Sequence, residues 1–291
     1  MKHNLSDRRL EAYAVFSCQV MGLVTLTQAQ AVALVLNFKG YLMNERKLAE
    51  STVNRKLAAI KSMVAMGRKL GVCAFALQDV KSETVHKYRD TSGIEASEFA
   101  KVLALVDRTT LKGKRDYAIL RLLWDNALRR NEICSLDVGD FNPNAKTLTI
   151  YGKGTGTQKT VIELTAKTVE ALKDWITASK KTSNITEDLK YQPLFGSLSP
   201  RKGEIEDRLI GESIRRLVVK LCRQAGISKH MSPHRLRHSS ITTALDYSNG
   251  NYRKVQNLSR HASIDTIQKY DDNRRRQQQQ REISDVLADL V

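Results

Sequence analysis

The chain lacks long apolar runs: the longest uninterrupted one, Ala31–Leu36 (AVALVL), falls far short of the ~18 residues that a membrane span needs. The opening residues, MKHNLSDRRLEAY, carry no apolar stretch behind their basic ones, so no secretory signal is visible. Cysteine is sparse. The four, at 18, 73, 134 and 222, form no CxxC and no close pair, which fits neither a disulfide framework nor a structural zinc site. They read as reduced, half-buried thiols of a soluble, intracellular protein.

What the sequence does have is positive charge. Across 291 residues, 48 Lys and Arg stand against 31 Asp and Glu, a net charge of +17, while the hydrophobic share is an ordinary 41%. A folded chain with that excess implies a polyanionic partner, and nucleic acid is the first candidate. The first ~90 residues read as helical. The clearest helix follows Ser51 as N-cap and runs from Thr52 to Leu70, with Val53, Leu57, Ile60 and Val64 forming an apolar stripe. Arg55, Lys56, Lys61, Arg68 and Lys69 occupy much of its remaining surface, a face suited to phosphates or simply to solvent. Asp79–Ser97 is polar and aperiodic and reads as a linker between domains.

Beyond it, Glu98–Val106 and Arg115–Leu128 read as helices, the second apolar almost all round and therefore a core helix. Thr147–Tyr151 and Lys159–Leu164 are β-branched runs flanking a glycine-rich stretch, the one convincing strand signal, and read as a hairpin. Helices follow at Ala166–Ser179 and Glu212–Ala225, the latter stopped by Gly226, and Ser232-Pro233 supplies an N-cap and a first-turn proline for another. At the C-terminus, RRRQQQQR leads into Ile283, Val286, Leu287 and Leu290 at helical spacing. So short a helix cannot stand alone; it docks on its own domain or on a neighbouring subunit.

Two tempting motifs fail. Gly152–Gly156 lacks the GK[ST] ending of a P-loop and is followed by a strand. His234 and His238 stand four apart, but two of the three residues between them are arginines, which disfavours a metal. A different set is coherent. Arg129 stands where a buried helix meets a turn, His234-Arg-Leu-Arg-His238 offers further cations, and Tyr270 follows His261 by nine residues. A tyrosine attacking a phosphodiester needs such a setting. Its phenol has a pKa near 10, the ester is anionic, and arginine forks stabilise the charge that grows on the non-bridging oxygens. Histidines can donate hydrogen bonds or move the proton, and Lys153 at a hairpin tip can protonate the leaving oxygen.

With these residues in order, the chain resembles a tyrosine recombinase of the phage integrase family, of the simple two-domain Xer-like type. Residues 124–136 are similar to the first arginine box, with Arg129 on the catalytic arginine and Glu132 on the box's acidic residue. Tyr151-Gly-Lys-Gly154 resembles the hairpin GKG and sets Lys153 on the catalytic lysine. His234-Arg-Leu-Arg-His238 resembles the HxLRH box, giving His234 and Arg237, and Leu258-Ser-Arg-His261 resembles LLGH, giving His261. There are departures: Ala127 and Arg260 replace glycines of those boxes, and Ile267 stands where a threonine is common. A bulky cation at 260 either changes how its loop turns or adds a phosphate contact.

The resemblance implies a mainly α fold with a small β-sheet: a helical, SAM-like core-DNA-binding domain over residues 1–88 and an α+β catalytic domain with a C-terminal tail helix over 89–291. It implies site-specific cleavage and rejoining of double-stranded DNA through a 3′-phosphotyrosyl intermediate and a Holliday junction. Catalytic residues would be Arg129, Lys153, His234, Arg237, His261 and Tyr270, with Arg55, Lys56, Lys61, Arg68 and Lys69 on DNA. No metal and no cofactor is called for, the protein would be cytoplasmic on the nucleoid, and four protomers would assemble on paired sites through their C-terminal helices. A type IB topoisomerase shares the chemistry without site preference, and a non-catalytic DNA-binding regulator would keep only the basic surfaces.

Overall fold

The structure is a computed structural model and describes residues 26–85, 93–151, 159–180, 189–198, 205–268 and 283–290. The chain divides into two compact units, Met1–Arg89 and Asp90–Val291. Among the described residues no helix is long and apolar enough to cross a membrane.

The first unit is built on two helices, α1 (Gln28–Asn44) and α2 (Glu50–Lys69). Thr27 opens α1 with a capping box: its hydroxyl accepts from the Gln30 N–H, and the Gln30 side chain accepts from the Thr27 N–H at 3.1 Å. α2 starts earlier than expected, capped by Ala49 and not Ser51. Glu50 in its first turn faces the positive end of the helix dipole and makes the serine cap unnecessary. Val53, Leu57 and Val64 are buried as the stripe requires.

The expectation of helix throughout is corrected beyond Gly71, whose φ of +69° stops α2. Residues 73–85 contain no helix, and Cys73, Phe75, Leu77 and Val80 fold back onto the helix pair. Two amides hold that return. Gln28 exchanges both hydrogen bonds with the Ala76 backbone at 2.7 Å, and Asn54 does the same with Glu83 at 2.8 and 2.7 Å. The polar stretch read as a linker from Asp79 therefore begins inside this unit, since Val80 is fully buried there and Glu83 pairs with Lys39.

The second unit runs α3 (Ala96–Ala104), α4 (Leu111–Asp125), α5 (Arg130–Cys134), β1 (Phe141–Asn142), β2 (Thr147–Tyr151), β3 (Lys159–Glu163), α6 (Ala166–Lys180), β4 (Gly196–Leu198), β5 (Ile205–Arg208), α7 (Gly211–Gln224), α8 (Pro233–Tyr247) and α9 (Tyr252–Ser259). Residues 264–268 and 283–288 are also helical. β2 and β3 form the expected antiparallel hairpin, with Leu148 opposite Ile162. β1 extends it and β4 pairs with β5 in a second antiparallel pair; these strands are too short to show a period in sequence. α4 begins four residues before Arg115 because Thr110 accepts from the Gly113 N–H at 3.0 Å. Gly113 is required there, since a Cβ would stand 1.7 Å from the Asp107 carbonyl.

Burial explains why α4 is apolar nearly all round: Ala118, Ile119, Leu120, Leu122 and Leu123 are all fully buried. Trp175 of α6 is 1% exposed, stacks beside Phe195 and donates its indole N–H to the Leu194 carbonyl at 2.7 Å. A separate cluster of Ala127, Ile241, Leu245, Val255 and Ile267 joins α8, α9 and the 264–268 turn. Replacing Trp175 by alanine is expected to lower stability by about 3–5 kcal/mol through the cavity, and Trp175→Phe by about 1–2 kcal/mol through the orphaned carbonyl. Urea denaturation of the two variants checks both the size and the order.

Candidate active site

The N-terminus of α8 delivers two of the expected residues, His234 and Arg237, within about one helical turn. Ser232 caps it, its hydroxyl accepting from the Arg235 N–H at 3.3 Å, and Pro233 occupies the first turn. His234, Arg237 and His238 then share a face, being three and four apart. Arg237 is only 2% exposed. Its Nη2 donates to the Ser259 carbonyl at the end of α9 and lies 3.5 Å from Nε2 of His261.

Arg129 arrives from the other side, as the extended residue that caps α5. Its backbone N–H and its Nη1 both donate to the Glu132 carboxylate at 2.7 Å. Its Nη2 reaches the Arg260 carbonyl at 3.5 Å, the outer limit of a hydrogen bond. Glu132 is 3% exposed, so this carboxylate serves the guanidinium and not solvent. A quarter of the Arg129 side chain is exposed.

Arg260 occupies the left-handed region at φ 55° and ψ 41°, closing α9. Such a conformation costs a residue with a Cβ roughly 1–2 kcal/mol, which is why glycine suits it. Ala127, in the turn before Arg129, is also left-handed at φ 44°. The Arg260 guanidinium turns inward, donating to the carbonyls of Leu258, Asn126 and Ala127 at 2.8, 3.0 and 3.2 Å and to Glu132 at 3.3 Å. The side chain thereby braces its own loop and the 126–127 turn. Ile267 likewise does more than omit a hydroxyl, since it is fully buried in the apolar cluster beneath the site.

A cleft of about 660 Å³ opens above these groups, lined by Arg129, His234, Arg237, Arg130, Arg215 and Tyr151 among others. Arg130 and Arg215 were not singled out in the sequence. Arg130 lies within the first box, next to Arg129, and its guanidinium lies where a Cβ on Gly211 would stand 2.7 Å from Nε. Arg215 is bound by Glu212 through two hydrogen bonds of 2.8 and 2.7 Å, which hold that carboxyl down at about 2. Tyr151 closes β2 beneath the Lys159 ammonium, which is 4.8 Å from its ring and 2.8 Å from Asp140. Lys153 and Tyr270 lie outside the described residues.

Burial, then the neighbouring arginines Arg237 and Arg129, push His234 below the ordinary histidine range, and the same order of causes takes His261 to about 4. Both rings are therefore neutral near pH 7. Each can then donate one N–H to an anion without adding a charge to the cluster.

In the first unit, α2 places Arg55, Lys56, Arg68 and Lys69 at the surface and Lys61 partly under cover. At about 100° per residue, Lys61 and Arg68 flank the buried stripe on one side and Lys56 on the other, while Arg55 and Lys69 face away from it. No ion pair engages any of the five among the described residues, and Lys61 and Arg68 border a cleft of about 340 Å³.

His238 is 8% exposed and held at about 4, chiefly by burial and next by His234. The unfolded chain binds its proton near pH 6.5, so between that value and about 4 it holds more protons than the fold. Stability from this group is full above about pH 6.5 and declines as acid is added, by about 1.4 kcal/mol per pH unit, levelling below about 4. Urea midpoints at about pH 7 and pH 5 are expected to show this decline, and His238→Gln is expected to lessen it, His261 and His234 supplying the remainder.

The phage integrase family profile matches residues 94–277 of this chain. A tyrosine recombinase of Synechococcus elongatus (strain ATCC 33912 / PCC 7942 / FACHB-805) is 44% identical over 268 residues, covering 92% of this chain and 80% of the relative. A tyrosine recombinase of Synechocystis sp. (strain ATCC 27184 / PCC 6803 / Kazusa) is also 44% identical over 268 residues, covering 92% and 82%. Among solved structures, the XerH site-specific recombinase in a post-cleavage complex with its palindromic difH substrate superposes with a TM-score of 0.62 at 19% identity, covering 90% of this chain and 73% of that one. That likeness is one of fold: mostly helical, with small sheets. The chain belongs to the phage integrase family, as a tyrosine recombinase of Xer-like type.

Proposed function

We propose that this recombinase works on a specific double-stranded DNA site through Tyr270, with Arg129 and Arg237 as the pair that binds the scissile phosphate. The observation that carries the reading is the meeting of those two arginines, from α5 and α8, at consecutive carbonyls of the α9 terminus beside His261. Two guanidiniums fixed on one spot of a cleft can hold the non-bridging oxygens of a phosphodiester and the charge that grows on them. The neutral histidines His234 and His261 supply further donors.

In the reaction so assigned, the Tyr270 oxygen forms a bond to phosphorus as the bond to the 5′ oxygen breaks. The phenol proton leaves through a histidine, and Lys153 gives a proton to the departing 5′ oxygen, which leaves as a hydroxyl. The ester is conserved as a 3′-phosphotyrosine, so a 5′ hydroxyl from the partner duplex can reverse the step with no external energy source. Paired exchanges pass through a Holliday junction.

Residues 1–88 would grip DNA through the exposed cations of α2, and residues 89–291 would carry the chemistry, in the compartment that holds the chromosome. The C-terminal turn at 283–288 supports assembly on paired sites: Ile283, Val286, Leu287 and Leu290 are 57–76% exposed. Four protomers linked by exchange of these helices would bury them. A topoisomerase or a silent regulator finds no comparable support, since the relatives are recombinases and the paired arginines are intact.

Trapping tests this reading. Fragmented genomic DNA is mixed with the protein, denatured, and any attached DNA sequenced, with Tyr270→Phe alongside. Adducts at one or a few sites, absent in the variant, are expected; scattered adducts point to a topoisomerase and none at all to a regulator. On a recovered site, Arg129→Lys is expected to slow cleavage about 10²–10³-fold by removing the fork. Deleting Arg281–Val291 is expected to impair recombination far more than single-site binding, and equal loss of both contradicts helix exchange.

A further inference from the structure

We propose that Arg260 is a positioning residue for strand cleavage: its guanidinium fixes the Asn126–Ala127 turn and shares the Glu132 carboxylate, and so sets the direction of the Arg129 fork. The proposal rests on the assignment of Arg129 to the scissile phosphate.

Three observations point the same way. First, Arg260 holds a left-handed conformation that glycine fills without strain, so the side chain is kept against a local preference. Second, the turn it binds is the segment that aims Arg129. Asn126 ends α4, Ala127 is itself left-handed, and Arg129 opens α5 two residues later. Nη1 and Nη2 of Arg260 take the two carbonyls of that turn, at 3.0 and 3.2 Å.

Third, Glu132 is divided between two arginines. Oε1 receives Nη1 of Arg129 at 2.7 Å, while Oε2 receives the Arg129 backbone N–H at 2.7 Å and Nη2 of Arg260 at 3.3 Å. A carboxylate with both oxygens engaged cannot rotate, so the guanidinium facing the cleft inherits a fixed orientation. Arg260 also closes the circuit through its backbone, whose carbonyl meets Nη2 of Arg129. Its side chain is only 15% exposed, so it acts on DNA through Arg129 and not by direct contact.

The test uses the full chain on a cleavable site, comparing Arg260→Gly and Arg260→Lys with the parent. Adduct formation in a single turnover, DNA affinity and melting temperature are read for each. Arg260→Gly relieves the backbone while removing the fork. It is expected to slow cleavage about tenfold to a hundredfold with affinity within about twofold of the parent, the scale of a displaced catalytic group. The same change made in Arg129→Lys is expected to add almost nothing, because the residue through which it acts is already gone.

A merely structural role would lower the rate equally in both backgrounds, and that result overturns the proposal. So does parental cleavage by Arg260→Gly. Should the glycine variant not fold, Arg260→Lys decides: folded and slow supports the role, folded and parental refutes it. If the parent itself forms no adduct, it is the catalytic assignment that fails, and the two outcomes are told apart.

Discussion

The site depends on the end of one short helix. α9 stops at Ser259, its last carbonyls lose their intrahelical partners, and two of them, at 259 and 260, accept from Arg237 and Arg129. An α-helix C-terminus carries partial negative charge, and here it is spent on cations from two other elements. Without it, guanidiniums brought into one cleft would repel each other with only the Glu132 carboxylate between them. With it, each is hydrogen-bonded in a direction that the helix and not the solvent determines.

That arrangement explains the histidines. Burial first, and then the arginines that attract a phosphate, disfavour further positive charge there, so His234 and His261 are held neutral as donors. Beneath them the apolar cluster of Ala127, Ile241, Leu245, Val255 and Ile267 supports the turn, α8, α9 and the following helical turn together. A site made of charged ends thus stands on a packed base, and the arginines cannot shift without disturbing it.

Much of this was legible in the sequence, and the limits are physical. The start of α8 was visible to the residue, because Ser232 and Pro233 are clear start signals. The β2–β3 hairpin was visible because β-branched runs flank a glycine-rich stretch, although only β2 alternates in burial. Arg129, His234, Arg237 and His261 could be named from spacing and resemblance. The convergence at α9 could not, because its acceptors are backbone carbonyls, which every residue possesses. The inward turn of Arg260 was hidden for the same reason: three of its four partners are main-chain oxygens. Residues 73–78 were misread as helical because their apolar residues look alike in either state, and the Gln28 amide that holds them lies far away in the chain.

The most direct measurement is a crystal structure of the full chain with orthovanadate, a mimic of the phosphoryl group in flight, bound in the cleft. The account predicts vanadate oxygens within hydrogen-bond reach of both Arg129 and Arg237, with the two guanidiniums still on the carbonyls of Arg260 and Ser259. Vanadate held by other residues, or arginines that leave the α9 terminus to reach it, would contradict the claim that this helix end prepares the site.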